Sequence, residues 1–345
     1  MKRSLLFEGT SGESNMRALI CGISGQDGTY LADLLLKKGY EVFGTSRDVD
    51  ASSFSNLEKL GIKNQVSLIS VAINDFRSVL QAINMVKPVE IYNLAGQSSV
   101  GLSFDQPVET MESIGFGTLN LLEAIRFTNS CIRFYNAGSS ECFGDAGSAR
   151  ADESSPFRPR SPYAVAKSTA FWQVSNYREA YDLFACTGIL FNHESPLRGQ
   201  RFVTKKVIAC ACRIATGSQE TLYLGNLDIQ RDWGWAPEYV EAMWLMLQQT
   251  KPDDYVIATG ETRSLQDFVS AAFNALGLDW RKHTKFDSSL FRPTDLAVGR
   301  ANPAKAAEQL GWTATKKMEG VVYAMIEDEM AKVKSQAFNP IVSQD

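Results

Sequence analysis

Hydrophobic residues in the first half of the chain fall into short runs separated by helical stripes. Residues 17–21 read as a buried strand that enters a glycine-rich turn from Gly22 to Gly28, followed by a helical pattern over 29–38. Further strands are predicted over 41–45, 66–71, 90–94, 133–137 and 184–190. Helices are predicted over 75–87 and 108–127, and another begins at Pro162, where Ser161 can cap it. Strands alternating with amphipathic helices imply a parallel sheet with right-handed crossovers, a Rossmann-type doubly wound α/β fold. After residue 195 the pattern loosens, with helical pieces over 202–216, 237–249, 264–278, 303–310 and 317–334. The expected organisation is a dinucleotide-binding domain over 16–190 and a smaller, mainly helical substrate-binding domain over 191–335. Segments of the second, about 232–260 and 293–310, are expected to return to the first. Residues 1–15 read as a flexible extension and 336–345 as a tail.

Composition narrows the field. The 345 residues are 44% hydrophobic and 21% charged, and a net charge of −4 gives no reason to expect nucleic-acid or membrane binding. No apolar run approaches the length of a membrane span. Six cysteines without a Cys-x-x-Cys pair, and only two histidines, fit free thiols in the cytoplasm and no metal site.

The candidate chemistry lies where the strands end. A Gly-x-x-Gly-x-x-Gly turn between strand and helix lets the backbone approach a pyrophosphate on a helix N-terminus, which makes Gly22, Ser24, Gly25, Gln26, Asp27 and Gly28 cofactor candidates. At the end of the second strand Arg47 favours NADP while its neighbour Asp48 favours NAD, and NADP is the expectation. Polar segments 95–99, 138–141 and 191–194 leave strands at the same edge. Tyr163 and Lys167 are four residues apart on one helix face. The ammonium should ease ionisation of the phenol, which can exchange a proton with a sugar hydroxyl while a nicotinamide takes a hydride. Glu141, after Ser139 and Ser140, supplies a second acid–base group.

With these motifs, the chain from Arg17 to about Lys334 resembles the GDP-mannose 4,6-dehydratases of the extended short-chain dehydrogenase/reductases. The resemblance rests on the glycine turn, Ser139-Ser140-Glu141, the stretch from Arg160 to Lys167, Leu190 to Gly199, Arg231-Asp232-Trp233-Gly234, and Phe291-Arg292-Pro293. It implies that Tyr163, Lys167, Ser139 and Glu141 are catalytic. It implies cofactor contacts at Arg47, Leu94, Ala95, Gln97, Ser98, His193 and Arg198. Substrate contacts are implied at Ser99, Ser140, Asn192, Lys206, Arg231, Arg292 and Asp295, and a homodimer or homotetramer is implied for the assembly. The pattern departs at four places: Ser139 for a usual Thr, Ala72 for an Asp near the adenine, Asp48 for an Arg, and Asp295 for a Glu. A related sugar nucleotide, such as a GDP-manno-heptose, is therefore an alternative substrate. Glu141 argues against keto-sugar reductases, and Ser140 stands where dTDP- and UDP-sugar dehydratases carry Asp. An alternative of another class is a protein that senses the dinucleotide without turnover, which would not need Tyr163, Lys167 and Glu141 together.

Overall fold

The computed structural model describes residues 16–145, 147 and 149–338. The expectations for 1–15, and for the part of the tail beyond 338, lie outside them.

Strands β1 (Arg17–Cys21), β2 (Glu41–Ser46), β3 (Ser67–Ser70), β4 (Glu90–Asn93), β5 (Arg133–Ala137) and β6 (Ala185–Leu190) follow one another along the chain. They are followed by β7 (Asn192–Glu194), β8 (Leu222–Leu224), β9 (Gln230–Trp235), β10 (Tyr255–Ile257), β11 (Thr262–Ser264) and β12 (Thr284–Phe286). Helices α1 (Gln26–Lys37), α2 (Ser55–Lys59), α3 (Phe76–Val86), α4 (Val100–Asp105), α5 (Pro107–Met111) and α6 (Gly117–Thr128) belong to the first half. They are followed by α7 (Pro162–Tyr181), α8 (Val203–Ala215), α9 (Ala236–Leu247), α10 (Leu265–Asn274) and α11 (Met318–Phe338).

Among the described residues the main sheet has seven parallel strands in the order β10-β6-β5-β4-β1-β2-β3. The period of two along each strand explains its burial on both faces. Ala18 and Ile20 point to the layer that holds Leu31, Leu35 and Met243 of α1 and α9. Leu19 and Cys21 point to the opposite layer, against Val79, Leu122 and Val174 of α3, α6 and α7. Strand order reverses between β1 and β4, which opens a crevice at the carboxyl edge.

Several elements differ from expectation for local reasons. The single helix expected over 108–127 begins at Pro107 and is interrupted by a π-helical turn over Glu112–Phe116 before α6 continues. A π turn of the same kind replaces most of the helix expected over 303–310. Strand β10, from the segment expected to return, pairs with β6 and extends the sheet by one strand. The second half also holds short strands that were not expected: β11-β9-β7 form one small sheet, and β12 pairs in parallel with β8. Helices α8, α10 and α11 pack around Trp233 and Phe268 to give this half its own core. Helix α11 continues through 336–338, where a tail was expected to begin. Among the described residues no helix is long and apolar enough to cross a membrane.

Candidate active site

A cavity of about 780 Å³ opens at the crevice, within the range of about 300–1,000 Å³ usual for small-molecule sites. The glycine turn forms one wall. Gly22 ends β1 with φ of +87°, and a Cβ there would lie 2.9 Å from the Leu94 carbonyl oxygen. A Cβ on Gly28 would stand 2.4 Å from the Gly22 oxygen, so the turn and the first coil of α1 close on each other only as glycines. At Gly25, the N-cap of α1, the nearest atom would be 3.4 Å away, and no side chain caps the helix. Its free N–H groups therefore face the cavity with the positive end of the helix dipole. These are the features a dinucleotide pyrophosphate needs, and the residues present fit one.

The opposite wall comes from α7 and the turn after β5. Ser161 accepts the Ala164 N–H at 3.1 Å and Pro162 occupies the first turn, which fixes where α7 starts. Tyr163 and Lys167 both reach the cavity, each 9% exposed. Lys167 Nζ donates to the Ala137 carbonyl at 2.7 Å and lies 5.8 Å from the Tyr163 ring centre. The expected easing of phenol ionisation does not appear: burial pushes Tyr163 well above its usual range, against the lowering influence of Ser139. Burial also lowers Lys167, to about 8. Ser139 Oγ accepts the Glu141 N–H at 3.3 Å, which sets the turn that carries the carboxylate. Burial raises the Glu141 carboxyl against the pull of Arg231 and Arg292.

Arg231, on β9, donates to the Leu296 carbonyl at 2.8 Å and to Asp295 at 3.1 Å, and Arg292 approaches the same Asp295 oxygen at 3.4 Å. Ser98, Ser99, Ser140 and Asn192 line the cavity, as do Ser24, Arg47, Leu94, Ala95 and Gln97. Two of the expected substrate contacts lie outside this lining. Lys206 is not among the lining residues and donates instead to the Tyr223 carbonyl at 2.9 Å. One residue along α8 turns a side chain through about 100°, and Lys205 is the one turned inward, to a 2.7 Å pair with Glu329. Asp295 also stands outside the lining, where it orients the two arginines.

Spacing did not reveal what holds His193 and Arg198. Glu194, buried at the end of β7, accepts from Thr204 at 2.7 Å and pairs with Arg198 at 3.1 Å, while the guanidinium lies 3.6 Å from the Phe202 ring centre. His193 Nε2 lies 2.8 Å from Asp27 Oδ2.

The glycine cradle, an acid–base pair on α7 and a desolvated carboxylate facing two arginines thus share one cavity. Against known families, the model described as GDP-mannose 4,6 dehydratase matches residues 19–325. The chain belongs to the GDP-mannose 4,6-dehydratase family. GDP-mannose 4,6 dehydratase 1 of Arabidopsis thaliana is 44% identical over 329 residues, covering 92% of this chain and 91% of that protein. Two solved structures share the fold. The dTDP-glucose 4,6-dehydratase DesIV of Streptomyces venezuelae, with NAD and TYD bound, has a TM-score of 0.82 at 19% identity, covering 94% of this chain and 99% of that one. RMD of Pseudomonas aeruginosa, complexed with NADPH, has a TM-score of 0.75 at 19% identity over 92% of this chain and all of that one.

Proposed function

We propose that this protein is a GDP-mannose 4,6-dehydratase, converting GDP-D-mannose to GDP-4-keto-6-deoxy-D-mannose and water with no net use of cofactor. The observation that carries this reading is Glu141 in the same cavity as Ser139, Tyr163 and Lys167, inside a chain of this family. Tyr163, hydrogen-bonded to Ser139, is placed to take the O4 proton of the sugar, with Ser139 holding O4. Lys167, anchored on the Ala137 carbonyl beside Tyr163, holds a ribose hydroxyl. A bound nicotinamide dinucleotide supplies the hydride acceptor at C4 and the donor at C6. Once C4 is a ketone the C5–H is acidic, and Glu141 removes that proton and passes it to the departing 6-hydroxyl, which leaves as water. Hydride addition at C6 of the resulting enone is completed by a solvent proton at C5, and the proton Tyr163 took from O4 returns to solvent. The desolvation of Glu141 suits both of its roles, because a raised carboxyl is a stronger base and remains able to return the proton. Arg231 and Arg292 face Glu141 closely enough to act on its charge, and they suit the substrate diphosphate through charge-assisted hydrogen bonds.

NADP is the dinucleotide we assign. Arg47 lines the cavity, whereas Asp48 turns its carboxylate into its own loop and accepts the N–H groups of Asp50 at 2.9 Å and Ala51 at 3.1 Å. The acid that could select a bare 2′-hydroxyl is therefore spent locally, and the Arg47 guanidinium, paired at 2.6 Å with Glu109 of α5 on the same cavity wall, is the cation that a 2′-phosphate would draw on. Six unpaired thiols suit a cytoplasmic protein. A homodimer or homotetramer would cover the exposed Val108, Val165 and Trp172 of α5 and α7. Incubating the purified protein with GDP-mannose in deuterated water tests the reading: the product should carry solvent deuterium at C5 and lack one water. Extraction of the retained nucleotide should yield NADP. Unchanged GDP-mannose, or NAD in the extract, would overturn the corresponding part.

A further inference from the structure

His193 and Asp27 meet across the junction of the two halves of the molecule, and their geometry fixes a charge state. The ring of His193 is buried, with Nδ1 2.7 Å from the Phe191 carbonyl oxygen and Nε2 2.8 Å from Asp27 Oδ2. A carbonyl oxygen and an ionised carboxylate can only accept, so both ring nitrogens must donate, and only the imidazolium does so. A neutral ring would leave one of these short contacts as two acceptors facing each other.

The contact is part of a closed set. Gln26 Nε2 donates to Asp27 Oδ1 at 2.9 Å and to the His193 carbonyl at 3.2 Å, and Gln26 Oε1 accepts from Ser195 Oγ at 2.8 Å. Ser195 Oγ in turn accepts the Leu197 N–H at 3.1 Å. Both Asp27 oxygens are thereby engaged by protein, one by Gln26 and one by His193, although the residue opens the first turn of α1. The charged and titratable groups around the pair come from several elements. Asp27 on α1 favours the imidazolium, and Arg198 beyond β7 opposes it. Tyr239 on α9 stacks on the ring at 4.5 Å between centres, and the Asp27 charge is felt by Tyr135 on β5 and Lys167 on α7.

We propose that Asp27 and His193 form an ionised clasp which holds the glycine-rich turn against β7, so that Asp27 is a positioning residue and the clasp opens when the imidazolium loses its proton. Helix α1 offers the N-terminus suited to the pyrophosphate, and β7 carries Asn192 and leads to Arg198. The clasp therefore sets the spacing of the cofactor and substrate walls of one cavity. Because closure needs the imidazolium and the carboxylate together, it is complete above the folded pKa of Asp27 and weakens as pH rises through the value His193 has in the folded protein.

The chain has two histidines, so the test is direct. Full-length protein carrying 13C-labelled histidine is titrated by NMR from about pH 6 to 9, with His283→Gln used to assign the resonances. His193 should keep its imidazolium shift above the ordinary 6.5. Asp27→Asn should bring it below that value, since burial then opposes the charge unaided. An ordinary or neutral His193 in the wild type overturns the proposal, and so does a titration that Asp27→Asn leaves unmoved. The wild-type titration decides even if that variant folds poorly. A second readout rests on the cavity holding a dinucleotide: nucleotide retained through gel filtration should fall several-fold above the His193 midpoint, with that fall moved to lower pH in Asp27→Asn. Retention independent of pH overturns the role in positioning, while the identity of the extracted nucleotide tests the cofactor separately.

Discussion

Glu141→Gln removes the proposed proton carrier while keeping the shape of the side chain. General acid–base groups contribute about 10²- to 10⁴-fold, so dehydration should slow by that factor, about 3–5 kcal/mol in barrier at 1.36 kcal/mol per decade. Oxidation at C4 relies on Tyr163, Lys167 and Ser139 and should persist. Stability should respond in the opposite direction. Burial raises the Glu141 carboxyl, so its folded pKa lies above the unfolded one. Such a group favours the folded state below the unfolded pKa and loses that contribution as pH rises through the folded value. Above its folded pKa the wild type carries a desolvated carboxylate, and the neutral amide escapes that cost, so the melting temperature of Glu141→Gln should hold or rise there. The wild-type dehydration rate should climb with pH as the carboxylate forms, and the variant should lose that limb. The assay is exchange of solvent deuterium into C5 together with loss of water, followed by mass spectrometry, with calorimetry on the same samples. Wild-type turnover in the variant, or loss of activity accompanied by unfolding, would refute the role given to Glu141.

Other substitutions probe the walls of the cavity. Gly28→Ala places a Cβ 2.4 Å from a backbone oxygen that cannot swing away. Denaturant unfolding should show a loss of about 1–3 kcal/mol, together with reduced nucleotide retention. Arg47→Ala should cost NADP about 10- to 100-fold in affinity and leave NAD almost unaffected, following the 1.5–3 kcal/mol typical of hydrogen bonds to charged groups; equilibrium titration of both nucleotides checks it. Lys167, lowered to about 8 by burial, is an unfavourable cation in the folded protein at neutral pH. Since its folded pKa is depressed, its contribution to stability improves as pH rises past about 8. Lys167→Met should thus abolish turnover yet raise the melting temperature at pH 7, with the gain shrinking at higher pH.

The parts of this fold that the sequence announces are those governed by neighbours along the chain. Apolar runs located β1 to β6, Ser161 and Pro162 located the start of α7, and glycines at tight contacts located the turn. What stayed hidden depends on distant partners. Strands β7 and β8 have three residues each, and all of β7, β8 and β9 pair with residues far away, so no local period marks them. The π turn over Glu112–Phe116 keeps an apolar stripe that reads as ordinary helix. Site residues were legible by type more than by orientation. Tyr163, Lys167 and Glu141 converge on one cavity, whereas Lys206 differs from Lys205 only by a rotation about α8 that motif spacing did not fix. The rise at Tyr163 also could not be read from spacing, because desolvation depends on everything packed around the ring.

The central claim is that one site oxidises C4, removes water and reduces C6 of the same sugar. GDP-mannose deuterated at C4 tests it most directly, incubated with the purified protein without added reductant, with the product examined by NMR. The account predicts deuterium at C6 of a 4-keto-6-deoxy product. Deuterium recovered in free cofactor, or left at C4 of unchanged substrate, would contradict it.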